Sequence, residues 1–358
     1  MAKIDELFRK VKETGASDLH MLEGQPPKLR IHGELEDIEG HGVLTEEMLR
    51  EYLQEICQPK LWKKFERDGD LDFAYGLEGV ARFRCNYLKQ VHGRGAVFRQ
   101  IPDEILTIED LGLPDAIAEA ADYRSGLVLV TGPTGSGKST TLAAVIDRIN
   151  KTYKKHIITI EDPIEFVHEN KKCVLTQREI GQHSESFADA LKAAVREDPD
   201  VILVGELRDL ETIGLALTAA ELGLLVFGTL HTNSAAKTID RIIDVFPAGR
   251  QPMVRTMLSE SLRAIFAQLL LKKKGGGRVA AQEVLVRKEG LSNMIREGAI
   301  SKIRSMIEVG KKDGMQTMDQ ALMELLQNDV IEGNAAYMKA QDKSMFDAYR
   351  DPDLPEDD

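Results

Sequence analysis

The chain has 358 residues, 42% of them hydrophobic and 30% charged, which allows a full-sized core and more than one domain. Acidic residues outnumber basic ones 59 to 47, and the net charge of -12 argues against binding nucleic acid or an anionic membrane through overall charge. Cys57, Cys85 and Cys173 stand far apart with no C-x-x-C spacing, which argues against a disulfide framework or a structural zinc site. No apolar run reaches the roughly 18 residues of a membrane span. The amino terminus also lacks a signal-peptide core, so a soluble cytoplasmic protein without a transmembrane segment is expected.

Residues 3–14 carry Ile4, Leu7, Phe8 and Val11 on one stripe and predict an amphipathic helix ended by Gly15. Two short alternating segments, 17–21 and 28–35, predict strands separated by the Pro26-Pro27 turn, with His20 and His32 on strand surfaces. Residues 45–67 predict helix, with Thr45 as cap, Glu46 and Glu47 in the first turn, and a break at Pro59. Residues 70–76 and 80–88 then alternate as a hairpin, and 95–101 adds a strand. Arg82 and Arg84, two apart, share one strand face, which on pattern alone reads as a solvated basic surface. The region 1–100 is expected to be a small α+β domain, with 101–113 as a proline-punctuated connection and 114–358 as a second domain.

In that second region strands and helices alternate, the signature of a mostly parallel sheet. The apolar run Leu127–Val130 leads into Gly132, Pro133, Thr134, Gly135, Ser136, Gly137, Lys138 and Ser139, which match G-x-x-x-x-G-K-[ST]. Thr140 follows, and Leu142, Val145, Ile146 and Ile149 recur at helical spacing. Glycines let the backbone turn its N–H groups inward, and the helix N-terminus favours a phosphate. Lys138 can reach the outer oxygens and the Ser139 hydroxyl can hold Mg²⁺, so the chain is expected to bind a nucleoside triphosphate. Three further apolar runs end at chemically useful residues: 157–160 at Glu161, Asp162 and Glu165; 201–204 at Glu206; and 224–227, through Gly228, at His231. If these runs are adjacent parallel strands, their carboxyl ends bring all of these groups to one crevice. Glu206 would then hold Mg²⁺, Glu161, Asp162 and Glu165 would orient or deprotonate water, and His231 would sense the γ-phosphate. Beyond residue 250, Val254, Met257, Leu258, Leu262, Ile265 and Leu269 predict a continuous helix. Lys272–Gly277 reads as an exposed turn, 279–286 as a strand, and the rest as helices up to an acidic tail expected to be disordered.

Taken together, the motifs resemble the PilT-type ATPases, the retraction motors of type IV pili in the secretion-ATPase superfamily. The resemblance spans nearly the whole chain: Gly15–His20, Arg82–Arg84, Gly132–Ser139, Thr159–His168, Val201–Asp209, Gly228–Asn233 and Gly314–Leu322. It implies a PAS-like N-terminal domain, a RecA-like P-loop ATPase domain, and a homohexameric ring at the cytoplasmic face of the inner membrane. By the resemblance, ATP is bound with Mg²⁺ between the domains. Glu206 serves the Mg²⁺ site, Glu165 is the catalytic base, His231 belongs to a nucleotide-sensing box, and Arg82 and Arg84 become arginine fingers. The implied partners are an inner-membrane pilus platform protein and a paralogous retraction ATPase, with no nucleic acid.

Two positions depart from the family pattern. Its Ala-Ile-Arg-Asn-Leu signature reads Gly290-Leu-Ser-Asn-Met294 here, with Ser292 in the arginine's place, and Arg124-Ser125-Gly126 replaces an Arg-Gly pair. The first departure leaves open an accessory ring subunit that produces little force. A pilus-assembly or type II secretion ATPase is the other alternative, but those relatives carry a larger N-terminal region and a tetracysteine zinc site.

Overall fold

The computed structural model describes residues 2–31, 33–101 and 104–351. The readings of His32, of the proline break at 102–103 and of the acidic tail beyond Asp351 lie outside the described residues. The chain divides into two compact units, Met1–Glu104 with Pro163–Val167, and Ile105–Asp162 with His168–Asp358.

The first unit is α+β. Helix α1 (Asp5–Thr14) has Asp5 and Glu6 in its electropositive first turn and stops at Gly15, whose φ of 68° makes a left-handed cap. Strands β1 (Asp18–Leu22), β2 (Lys28–Ile31) and β3 (Glu34–Asp37) follow, so the stretch read as one strand over 28–35 is shared between two antiparallel strands, with Ile31 opposite Glu34. Helix α2 (Glu46–Ile56) is capped by Thr45, which accepts the Met48 N–H, and α3 (Pro59–Asp68) opens on a proline. Strands β4 (Asp70–Leu77), β5 (Ala81–Gln90) and β6 (Gly93–Ile101) complete an antiparallel sheet in the order β3-β2-β1-β6-β5-β4. The alternation of β5 buries Ala81, Phe83, Cys85 and Tyr87 and leaves Arg82 and Arg84 on the opposite face. Phe8 stacks on Phe83 with centroids 4.2 Å apart, and the Tyr87 hydroxyl donates to Leu53 O at 2.8 Å, which joins helix and sheet in one aromatic core.

The second unit is α/β. Its elements are α4 (Asp115–Ala120), β7 (Gly126–Thr131), α5 (Lys138–Thr152), β8 (His156–Glu161), β9 (Val174–Glu179), α6 (Phe187–Ala194), β10 (Val201–Val204), α7 (Leu210–Glu221) and β11 (Leu225–Leu230). Then come α8 (Ala235–Asp244), α9 (Gln251–Ser261), β12 (Leu262–Lys272), β13 (Arg278–Val286), α10 (Leu291–Glu297), α11 (Ser301–Val309), α12 (Met318–Gln327) and α13 (Gly333–Lys339). The sheet order is β13-β12-β7-β11-β10-β8-β9, parallel throughout except for the β12–β13 hairpin. Every residue of β7, β10 and β11 is buried, which is why these strands read as unbroken apolar runs.

One expectation fails here. Leu262, Ile265 and Leu269 lie on strand β12, not on a continuation of α9, which ends at Ser261. The run Leu262–Leu271 is apolar almost throughout because successive residues of β12, on both faces of the sheet, are buried, and such a run fits helical spacing as well as strand. The turn at Lys272–Gly277 connects this hairpin, as expected. Part of the stretch read as a connection packs into the second unit: Ile108 is buried in its core, and Thr107 and Asp110 cap one another's backbone N–H groups at 3.1 Å. All three cysteines are buried and free, consistent with small apolar fillers.

Candidate nucleotide site

The loop between β7 and α5 is shaped by three glycines. Gly132, Gly135 and Gly137 have φ of 147°, 78° and 84°, a region that favours glycine. A Cβ at Gly132 would sit 2.2 Å from the Gln268 carbonyl oxygen, whereas one at Gly135 would meet nothing within 4 Å. The loop therefore presses against β12 at its base and opens outward at its crest. Pro133, Thr134 and Gly135 are exposed there, while Ser139 and Thr140 are half-buried in the first turn of α5. Lys138 donates from Nζ to Gly132 O at 2.9 Å and Pro133 O at 3.1 Å, which arches its ammonium back over the loop.

The adjacent strand ends bring further groups to the same edge. The parallel register places Thr131 opposite Leu230, and Val204 opposite both Ile160 and Gly228. Glu161, Gly205 and His231 consequently lie at or just beyond neighbouring strand ends. Gly205 donates its N–H to Ile160 O at 2.8 Å, and a Cβ there would come within 3.1 Å of that oxygen, so glycine keeps this edge tight. Glu161 accepts from Thr159 Oγ1 at 2.6 Å and from Gln177 Nε2 at 3.3 Å. Asp162 is exposed.

Glu206 is the electrostatic centre. Arg208 approaches one carboxylate oxygen at 2.6 Å and His231 Nε2 the other at 3.2 Å. Burial alone would raise its carboxyl, but the Arg208 hydrogen bond and charge, with His231 and Lys138, outweigh it and hold the group below its ordinary value. Asp209, which follows Arg208, is a helix cap: it accepts the Thr212 N–H at 2.8 Å and the Thr212 hydroxyl at 2.9 Å. Glu283 on β13 accepts the Ala235 N–H at 2.7 Å and so anchors the start of α8, just after His231.

Of the residues expected at the site, Gly132–Thr140, Glu161, Asp162, Glu206 and His231 belong to the second unit and gather at its sheet edge. Arg82, Arg84 and Glu165 belong to the first unit. Arg84 lies 3.6 Å from Asp72 in a half-exposed pair, the kind worth at most about 1 kcal/mol and easily exchanged. Sequence reasoning missed Arg208, although it stands two residues after Glu206, and also Gln268, which the helical reading of β12 concealed.

The arrangement fits a phosphate chain with a hard divalent cation. Ser136 Oγ is buried with no hydrogen-bond partner among the described residues, beside an open crest and the N-terminus of a 15-residue helix. A hydroxyl at Ser139 and a carboxylate at Glu206 are suitable oxygen donors for Mg²⁺. Among the described residues no three His, Cys, Asp or Glu side chains cluster as a metal site.

Residues 1–347 match the family of type II/IV secretion system proteins. The chain is 52% identical over 338 residues to the type IV pilus retractation ATPase PilT of Pseudomonas aeruginosa, covering 94% of this chain and 98% of that protein. It is also 52% identical over 316 residues to a twitching motility protein of Neisseria gonorrhoeae, covering 88% and 84%. Against the type IV pilus ATPase PilU of P. aeruginosa the identity is 39%, covering 90% and 85%. The fold matches a crystal structure of the pilus retraction motor PilT with bound ADP at a TM-score of 0.90 and 46% identity, over 96% of this chain and 99% of that one. By sequence and by fold alike, the chain belongs to the type II/IV secretion system protein family.

Proposed function

We infer that the chain is an ATPase that powers type IV pilus retraction. The observation that carries this is the meeting of the glycine loop, Lys138, Glu161, Glu206 and His231 on one sheet edge, in a chain 52% identical to a retraction ATPase. Phosphoryl transfer needs positioning and charge neutralisation more than covalent chemistry, and these residues supply both. The loop N–H groups and Lys138 bind the phosphates. Ser139 and Glu206 hold Mg²⁺, which when bound neutralises charge on the phosphate oxygens. Glu165, assisted by Glu161 and Asp162, orients and deprotonates the attacking water. Arg82 and Arg84 reach the phosphates as arginine fingers, and His231 couples the state of the nucleotide to Glu206. The ring is a homohexamer at the cytoplasmic face of the inner membrane, and it passes its motion to a pilus platform protein. No helix among the described residues is long and apolar enough to cross a membrane.

The test is steady-state ATPase turnover of the purified chain beside Lys138→Ala. Turnover that needs Mg²⁺ and is lost in the variant, with the circular dichroism and Tm unchanged, is the expected result. Near-normal turnover by Lys138→Ala would sink the mechanism. The accessory-subunit reading rests on Ser292, whose Oγ donates to Ser259 O at 2.8 Å and so has a packing role of its own. An ATPase-silent wild-type chain would favour that second reading.

A further inference from the structure

A ladder of buried polar side chains runs from the nucleotide loop into the β12–β13 hairpin. Gln268, on β12, donates from Nε2 to the Ser136 carbonyl oxygen at 2.5 Å. Its Oε1 accepts from Thr141 Oγ1 at 2.9 Å and from Gln282 Nε2, on β13, at 2.7 Å. Ser136, Thr141, Gln268 and Gln282 are each no more than 2% exposed. The backbone of Gln268 takes part too, because its carbonyl oxygen occupies the space that a side chain at Gly132 would need.

The chemistry fixes the direction of the ladder. A backbone carbonyl only accepts, so the amide nitrogen of Gln268 must face Ser136, and its oxygen must then face Thr141 and Gln282. That oxygen needs a donor from Gln282, which turns the Gln282 amide so that its own Oε1 is buried without a partner among the described residues. An unpartnered buried oxygen is costly, and it is tolerated here in an arrangement that orients Gln268. Gln268 spans the loop and the first turn of α5 at once: it holds Ser136, in the middle of the loop, and Thr141, one turn into the helix. These two points bracket Gly137, Lys138 and Ser139.

We propose that Gln268 is the positioning residue that holds the Gly132–Ser139 loop in its phosphate-receiving shape, and that Gln282 acts on the nucleotide only by orienting the Gln268 amide. The proposal rests on the reading of this loop as the nucleotide site. Gln268 touches no reacting atom. Its loss therefore weakens ground state and transition state together, which raises KM with little change in kcat.

The test is ADP affinity, measured by titration calorimetry on the full chain at a temperature where every variant is folded, with KM and kcat for ATP measured alongside. Gln268→Leu is expected to weaken ADP and raise KM about tenfold, the loss of one or two buried hydrogen bonds, while kcat stays within about threefold. Gln282→Leu and the near-isosteric Thr141→Val are expected to weaken ADP by a smaller factor. The double variant Gln268→Leu/Gln282→Leu is expected to bind ADP no more weakly than Gln268→Leu alone, because Gln282 has nothing left to orient. A purely structural role would lower Tm in each variant, leave the affinity of the folded protein unchanged, and overturn the proposal. If Gln268→Leu does not fold, Thr141→Val and Gln282→Leu decide: wild-type affinity in both overturns it. Losses that multiply in the double variant would overturn the part assigned to Gln282. A wild-type chain that binds no ADP would remove the nucleotide-site reading itself, and this proposal with it.

Discussion

Nε2 of His231 lies 3.2 Å from Oε1 of Glu206, joining the end of β11 to the end of β10, while Arg208 holds the other carboxylate oxygen. The carboxylate is thus oriented at both oxygens before any ligand arrives. Glu206→Gln keeps its shape and removes its charge. We expect kcat for ATP to fall at least about 100-fold, the scale of losing one preorganised electrostatic group, with ADP affinity in the absence of Mg²⁺ little changed. Steady-state kinetics and calorimetry check this, and an active Glu206→Gln enzyme would remove Glu206 from the Mg²⁺ site.

Arg208 gives the same site a pH signature. It is the largest influence holding the Glu206 carboxyl down against burial, so removing it lets the carboxyl rise. Glu206 must be ionised to hold a cation. The acid limb of the kcat/KM profile is therefore expected to move to higher pH in Arg208→Ala, modestly because the arginine is well exposed to solvent. A profile that does not move would show that Arg208 does not govern the carboxylate.

The glycines of the loop are not equivalent. Gly132→Ala brings a methyl group into the Gln268 carbonyl, whereas Gly135→Ala meets open space and carries only the strain of a positive φ. Gly135→Ala is expected to cost about 1 kcal/mol and Gly132→Ala several times more. Chemical denaturation checks the order, and equal losses would mean that the loop base is less tightly packed than its geometry indicates.

His168 provides a pH dependence of stability. Burial disfavours its charged ring and Lys171 adds to this, while Asp147 opposes it, so its pKa is pushed down from 6.5 to about 4. Its Nδ1 is buried with no hydrogen-bond partner among the described residues. Between these values the unfolded chain binds a proton that the folded chain refuses. The contribution of His168 is therefore complete above about pH 6.5 and is lost progressively as pH falls toward about 4. His168→Gln should show a shallower fall of Tm between pH 7 and pH 4.5 than the wild type. Identical slopes would contradict the assignment.

The site was largely legible because each of its motifs follows a short apolar run, and parallel strands deliver whatever follows them to one edge of the sheet. Glu206 and His231 were expected in one crevice for that reason, and their contact is visible only in the fold. Strand β9 was not legible: Val174–Glu179 carries Thr176, Gln177, Arg178 and Glu179 on a sheet edge, so neither apolar content nor alternation marks it. Strand β12 was misread for the opposite reason, since residues of both parities are buried along most of its length and the alternation that marks a strand is lost. That error hid Gln268. A buried amide has no sequence signature, and only the fold shows that Gln268 faces Ser136 across 132 positions of chain.

The claim that nucleotide hydrolysis by this chain drives pilus retraction is tested most directly by surface motility of a retraction-deficient strain carrying either the wild-type chain or Lys138→Ala, each at matched, stable expression. Restored motility with the wild type and none with the variant is the predicted result. Motility restored by Lys138→Ala, or none from a wild-type chain that hydrolyses ATP in vitro, would contradict it.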